Sequence, residues 1–217
     1  MSASAAPEAA PVLGLEALPA PAVLRDRLEA LRDPGSARVV VLWVARPGNA
    51  APAFSDPRLP WLERYPLPLI FAFEGNLAGP WLDIALACDI RVCDDESALA
   101  LAGVSEGYAA TRMRLLGGEG LASPVSARAA LEAGLVSVVA SPGGALQEAR
   151  RLAGVMASRG PIALRLAKEA IWRGLRMEFE QALRFETDLT LLLQTTKDRA
   201  EGVRAFLEKR PPHFTGE

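Results

Sequence analysis

The chain has 217 residues, half of them apolar, and its 24 Lys+Arg against 26 Asp+Glu leave a net charge of −2. That is enough apolar material for one well-buried core, while a pI near 5.6 and the lack of any Lys/Arg block exclude the basic field that nucleic-acid binding draws on. No run of about 18 apolar residues is available to span a bilayer, and the first residues, with Pro7, Glu8 and Pro11, lack the basic start of a signal peptide. Cys88 and Cys93 are the only two cysteines and read as small apolar thiols of a reduced compartment, not as a disulfide framework, so a cytoplasmic protein is expected.

Residues 1–22 are Ala/Pro-rich, without periodicity beyond a short Val12–Leu18 patch, and read as a flexible leader. Leu24, Leu28 and Leu31 then recur at helical spacing until Asp33-Pro34-Gly35 stops the helix. Arg38 to Ala45, RVVVLWVA, is a β-branched run of the kind buried on both faces of a parallel sheet, and Leu67 to Glu74 reads the same way. Gly75-Asn76 and Gly79 mark a turn, Trp81 to Cys88 is a short apolar helix, and Asp89 to Cys93 returns to strand. Farther on, Ser126 to Ala133 ends in Gly134 as helices do, and Leu135 to Ala140 is a last short strand. From Ala145 to Lys209 the pattern is a succession of amphipathic helices broken at Gly160-Pro161, Gly174 and around Thr195. The expected organisation is a leader over 1–22, an α/β core over 23–140 and a helical region over 141–217.

Several chemistries fail on residue inventory. A Ser-His-acid triad needs a histidine, and the one present, His213, sits in a Pro-rich tail. A zinc site needs about four well-spaced ligands, which one His and two Cys do not supply, so no metal is expected. Gly117-Gly118-Glu119-Gly120 lacks the Lys-Ser/Thr ending and strand-to-helix context of a phosphate loop. Arg112 and Arg114 read as solvated surface charges.

Four segments carry a positive signal: Leu15 to Val44; Ala72 to Val92 (AFEGNLAGPWLDIALACDIRV); Ser126 to Val139 (SARAALEAGLVSVV); and Thr196 to Gly216 (TKDRAEGVRAFLEKRPPHFTG). In layout and order they resemble the enoyl-CoA hydratase/isomerase (crotonase) family. The resemblance implies an α/β fold of stacked ββα turns with C-terminal helices that assemble homotrimers or hexamers. It also implies an acyl-CoA thioester as substrate or ligand, with no further cofactor; an acyl-carrier-protein thioester presents the same reacting group. The shared chemistry is enolate stabilisation by two backbone N–H groups, each worth about 2.7–4 kcal/mol, and in hydratases two glutamates handle the water and the proton. Phe206 and Lys209 match positions near the nucleotide end of coenzyme A.

The departures from the family pattern are as informative. One oxyanion donor falls on Pro80, which has no N–H, although proline also suits the first position of a helix for structural reasons. The first catalytic glutamate falls on Asp83, one methylene shorter and also favourable at a helix start on electrostatic grounds alone. The second falls on Gly103, with Gly107 fixing the register; Glu106 is the nearest acid and reads as a solvated loop residue. The other donor would come from Arg58, after Ala53-Phe54 and between Pro57 and Pro60, in a stretch too short for the lid that relatives insert before Pro68. The N-terminal β-hairpin is expected to be missing and Thr111 to Pro124 to be short. Trp81 and Leu82 replace small residues at the turn and read as core filling. Two functions are compatible with this pattern: a lyase or isomerase step on a thioester enolate with Asp83 as acid/base, or a noncatalytic scaffold or partner subunit of an active paralogue.

Overall fold

Strands covered on both faces lose the apolar/polar alternation of half-exposed ones, and the computed structural model has such strands at its centre. It describes residues 10–15, 17, 19–32, 37–47, 59–101 and 124–217. In chain order these form β1 (Val12–Gly14), α1 (Pro21–Glu29), β2 (Val40–Val44), α2 (Pro60–Glu63), β3 (Leu69–Phe73), β4 (Asn76–Ala78), α3 (Pro80–Ala87), β5 (Ile90–Asp94) and β6 (Ala98–Ala100). After them come β7 (Val125–Ser126), α4 (Ala127–Glu132), β8 (Val138–Ala140), α5 (Ala145–Ala157), α6 (Pro161–Gly174), α7 (Phe179–Gln194) and α8 (Lys197–Leu207).

The main sheet has the order β1-β2-β3-β5-β8, with every pair parallel. Val40 lies opposite Leu69 and Val44 opposite Phe73. Alternate residues feed two cores. Val40, Leu42, Val44, Phe71 and Phe73 pack with Leu24 and Leu28 of α1 and the apolar face of α3. Val39, Val41, Ile70, Ala72 and Val92 pack on the other side against Ala145, Ala149, Ala153 and Ala157 of α5. This i,i+4 stripe of alanines lets the helix approach the sheet closely. A second, smaller sheet joins β4, β6 and β7.

The structure corrects the expected leader and the expected boundary at 140. Within 1–22, Val12–Gly14 is an edge strand: Val41 N–H donates to Pro11 O at 3.0 Å and Leu15 N–H to Trp43 O at 2.7 Å. Three residues are too few to show a period, yet they cover the open edge of β2. Because β1 and β2 run parallel, they are linked through α1 and do not form a hairpin. At the other boundary, α5 belongs to the core, since its alanines bury one whole face of the sheet. The expected breaks between the later helices match the observed ones. No helix among the described residues is long and apolar enough to cross a membrane.

A polar clasp ties α6 to the sheet. Asp89 accepts hydrogen bonds from Leu69 N–H at 2.8 Å and Trp172 Nε1–H at 2.7 Å, and its Oδ2 lies 2.7 Å from Lys168 Nζ. Lys168, 8% exposed, also donates to Leu67 O at 3.0 Å. The C-terminal tail is held separately. Arg38 donates to Ala157 O at 2.9 Å and Phe214 O at 2.6 Å, and Arg210 makes a bidentate pair with Glu201 at 2.6 and 3.0 Å. The Arg210 guanidinium, helped by the His213 N–H, holds the Glu201 carboxyl down to about 2.

Removing one partner of a buried ion pair strands the other charge, so Asp89→Ala should lower stability by about 3–5 kcal/mol in urea unfolding. Because the folded-state value of Glu201 lies below that of the unfolded chain, its contribution is complete above the usual glutamate range and is lost as pH falls towards about 2. A carboxyl NMR titration of Glu201 should accordingly show a midpoint near 2, whereas Arg210→Gln should return it towards about 4.3.

Candidate functional site

The chain leaves β3 and reverses at Gly75, whose φ of +88° is a left-handed value that favours glycine. The turn is anchored by a buried polar chain. Gly75 N–H donates to Ser97 Oγ at 2.9 Å, the Ser97 hydroxyl donates to Asp94 Oδ1, and Gly143 N–H donates to Asp94 Oδ2 at 3.1 Å. Ser97 and Asp94 are both buried, so water does not compete for these bonds. β4 then pairs with β6, and Gly79, at φ +54° and ψ −135°, forms the N-cap of α3.

Pro80 occupies the first position of α3, so its structural role and the missing donor coincide at one residue. Leu82 N–H and Asp83 N–H both turn back to Gly79 O, at 2.9 and 3.4 Å. The N–H of Trp81 has no acceptor among the described residues, which leaves one uncommitted donor at this helix start. The Trp81 and Leu82 side chains are 2% and 1% exposed and belong to the main core, as expected of core filling. Asp83 lies in the first turn of α3 and is partly exposed. Arg58, Ala53, Phe54, Gly103, Glu106 and Gly107 lie outside the described residues.

The second group sits at the end of α8. Phe206 is 82% exposed, and Lys209 adopts φ +53°. Lys209 N–H donates to Phe206 O at 3.2 Å and Arg210 N–H to Ala205 O at 3.0 Å. This is the paired closure that commonly ends a helix with glycine at the left-handed position; here a lysine takes it. α3 packs against α2 and β4, while the end of α8 is clasped by the tail through Arg210 and Glu201.

Both cysteines are buried and unpaired with each other, and burial pushes each thiol up to about 12, which leaves them unreactive as nucleophiles near neutral pH. Among the described residues no three His, Cys, Asp or Glu side chains are grouped to hold a metal ion.

Sequence reasoning missed two polar features. The Asp94-x-x-Ser97 spacing between two strands carried a turn signal, but its link to Gly75 depends on the pairing of β4 with β6. The second is a cavity of about 510 Å³ between the segment Glu63–Pro66 and one face of α6, for which no local motif exists. Pro80 and Asp83 line neither this cavity nor those of about 390 and 260 Å³ that border α6.

The sequence profile of the enoyl-CoA hydratase/isomerase family matches residues 55–217. A Thermus thermophilus protein carrying an enoyl-CoA hydratase name is 37% identical over 161 residues, 69% of this chain and 64% of the relative. The 2,3-dehydroadipyl-CoA hydratase of Escherichia coli is 35% identical over 167 residues, 71% of this chain and 66% of its own length. The chain thus spans about two thirds of the length of the curated relatives it matches. Among solved structures, enoyl-CoA hydratase from Bacillus anthracis superposes with a TM-score of 0.85 at 28% identity, over 96% of each chain. Sequence profile, relatives and three-dimensional similarity agree, and the chain belongs to the enoyl-CoA hydratase/isomerase family.

Proposed function

We propose that this protein binds an acyl-CoA thioester without performing the two-glutamate addition of water, and that the reaction open to it is a lyase or isomerase step on a thioester enolate with Asp83 as acid/base. The observation that carries this reading is Pro80 at the first position of α3. A backbone donor is missing where the family resemblance puts one, a loss of about 10²–10³ in rate if uncompensated. The Trp81 N–H, without an acceptor among the described residues, and the positive end of α3 offer a partial substitute, of about 0.3–1 kcal/mol. Asp83 retains a carboxylate in the first turn, but a reach error on the order of 1 Å can lower a rate about a hundredfold. Position 103 is glycine, so the second carboxylate has no counterpart.

Lys209 supports the ligand assignment. A non-glycine residue held in the left-handed region stores about 1–3 kcal/mol of strain, and retention of lysine there is explained if its ammonium meets the nucleotide end of coenzyme A. The buried free thiols fit a reducing, cytoplasmic setting.

A second reading rests on a different observation. Ile171, Leu175, Phe179, Leu191 and Leu192, on or beside α6 and α7, are 57–76% exposed, an apolar surface of the sort that protein association covers. It suits a homotrimer or hexamer, or a hetero-oligomer with a paralogue in which this chain is a noncatalytic scaffold.

Calorimetry should give saturable coenzyme A binding that weakens about tenfold, or 1.4 kcal/mol, in Lys209→Ala. Lys209→Gly should weaken binding equally while raising stability by about 1 kcal/mol. Hydration of crotonyl-CoA should stay at background, and any isomerase or decarboxylase turnover should be abolished in Asp83→Asn. Coenzyme A that fails to bind at millimolar concentration, alongside a stable oligomer in sedimentation, would replace the enzyme reading with the scaffold.

A further inference from the structure

The cavity of about 510 Å³ between Glu63–Pro66 and α6 falls within the range of small-molecule sites and lies away from the Gly75–Asp83 turn. Tyr65 and Pro66 precede β3, and Lys168 reaches Asp89, which precedes β5. The cavity is therefore at the N-terminal edge of the parallel strands, whereas the turn leaves the opposite end of β3, roughly 17 Å away at about 3.3 Å per residue.

Its lining concentrates positive charge in a chain whose net charge is negative. Three of its cations are already matched. Lys168 meets Asp89 at 2.7 Å, Arg173 meets Glu169 at 3.1 Å, and Arg176 meets Glu63 at 2.7 Å. Arg64 and Arg165, which line the same cavity, have no ion-pair partner among the described residues. The floor is built of fixed groups. The Lys168 ammonium is buried and uses two of its three donors, on Asp89 Oδ2 and Leu67 O. Tyr65, likewise buried, is pinned by its hydroxyl to Leu28 O at 2.7 Å. Trp172 is fixed by its Nε1–H on Asp89, and the Arg176 guanidinium lies 6.0 Å from the centre of its ring.

We infer that this cavity is a binding site for a phosphate-bearing dianion, held by Arg64 and Arg165 with the remaining Lys168 donor beneath it. Two guanidiniums with no ion-pair partner among the described residues match a dianion in charge, and their planar donors suit phosphoryl oxygens. The inference stands independently of the thioester reading, because it uses neither Asp83, Pro80 nor Lys209.

The test is titration calorimetry of the full-length protein with pyrophosphate at low and at moderate salt, on the wild type, on Arg64→Gln/Arg165→Gln and on Lys209→Ala, with circular dichroism checking that each is folded. The expected result is saturable binding with a component that weakens at least about tenfold in the double variant and with added salt and that persists in Lys209→Ala, any component lost in Lys209→Ala belonging to the end of α8. ADP measured on Lys209→Ala, where the end of α8 is disabled, distinguishes the source of the phosphate: tighter binding than pyrophosphate assigns the Trp172 face to a base, and equal binding assigns recognition to the phosphates alone. Absence of saturable binding at millimolar pyrophosphate, equal affinity in the double variant, or a loss that follows Lys209→Ala instead would overturn the site.

Discussion

The Asp89 carboxylate ties α6 to the parallel sheet. It sits where α3 gives way to β5 and accepts from the first residue of β3, from the indole of Trp172 and from the ammonium of Lys168. Both strands it touches are central in the sheet, so the position of α6 is referred directly to the core. From α6 the chain runs on to α7, its principal packing partner, and so to α8 with Lys209. The same clasp supplies the floor of the cationic cavity. Burial of such a pair brings little net stability compared with apolar packing; its value here is that it fixes α6 by directional bonds, Lys168 being the one buried residue of that helix.

A second polar chain does comparable work at the other end of β3. Asp94, Ser97 and the Gly75 N–H determine where β4 starts and hence where α3 begins. The turn is therefore held by buried polar bonds. Proline at the opening of α3 keeps the helix start while deleting a donor, and Trp81 and Leu82 turn the space below it into core. The turn of the family fold is thus kept, with a residue that has no N–H at the first position of α3.

Much of this was legible in the sequence. The doubly buried strands β2 and β3 announced themselves as continuous β-branched and aromatic runs, and the breaks at Gly160-Pro161, Gly174 and Thr195 divided the later helices where the structure does. Pro80, Asp83 and Trp81 could be assigned because a glycine turn and a fixed spacing to Asp89 set their register. What escaped had no local signature. β1 is too short to show a period and is held only by its neighbour; α5 looked like part of a separate helical region because its core-facing residues are alanines, which read weakly as apolar. Lys168 lies 79 residues beyond Asp89 in the numbering, and the cavity beside it assembles residues that look like solvated charges until the fold places them together. The left-handed lysine at position 209 was equally hidden, since the sequence showed its match to the family but not its backbone.

Enolate stabilisation is the step on which the account turns, and exchange of the α-protons of butyryl-CoA with deuterated solvent, followed by NMR, reads it directly. The comparison is between the wild type and Pro80→Gly, which restores an N–H at the start of α3 while keeping a residue that the turn accommodates. If the missing donor limits the site, exchange should be slow in the wild type and about 10²-fold faster in the variant. Equal exchange in both proteins would contradict the account, because the proline would then be a structural replacement without chemical consequence.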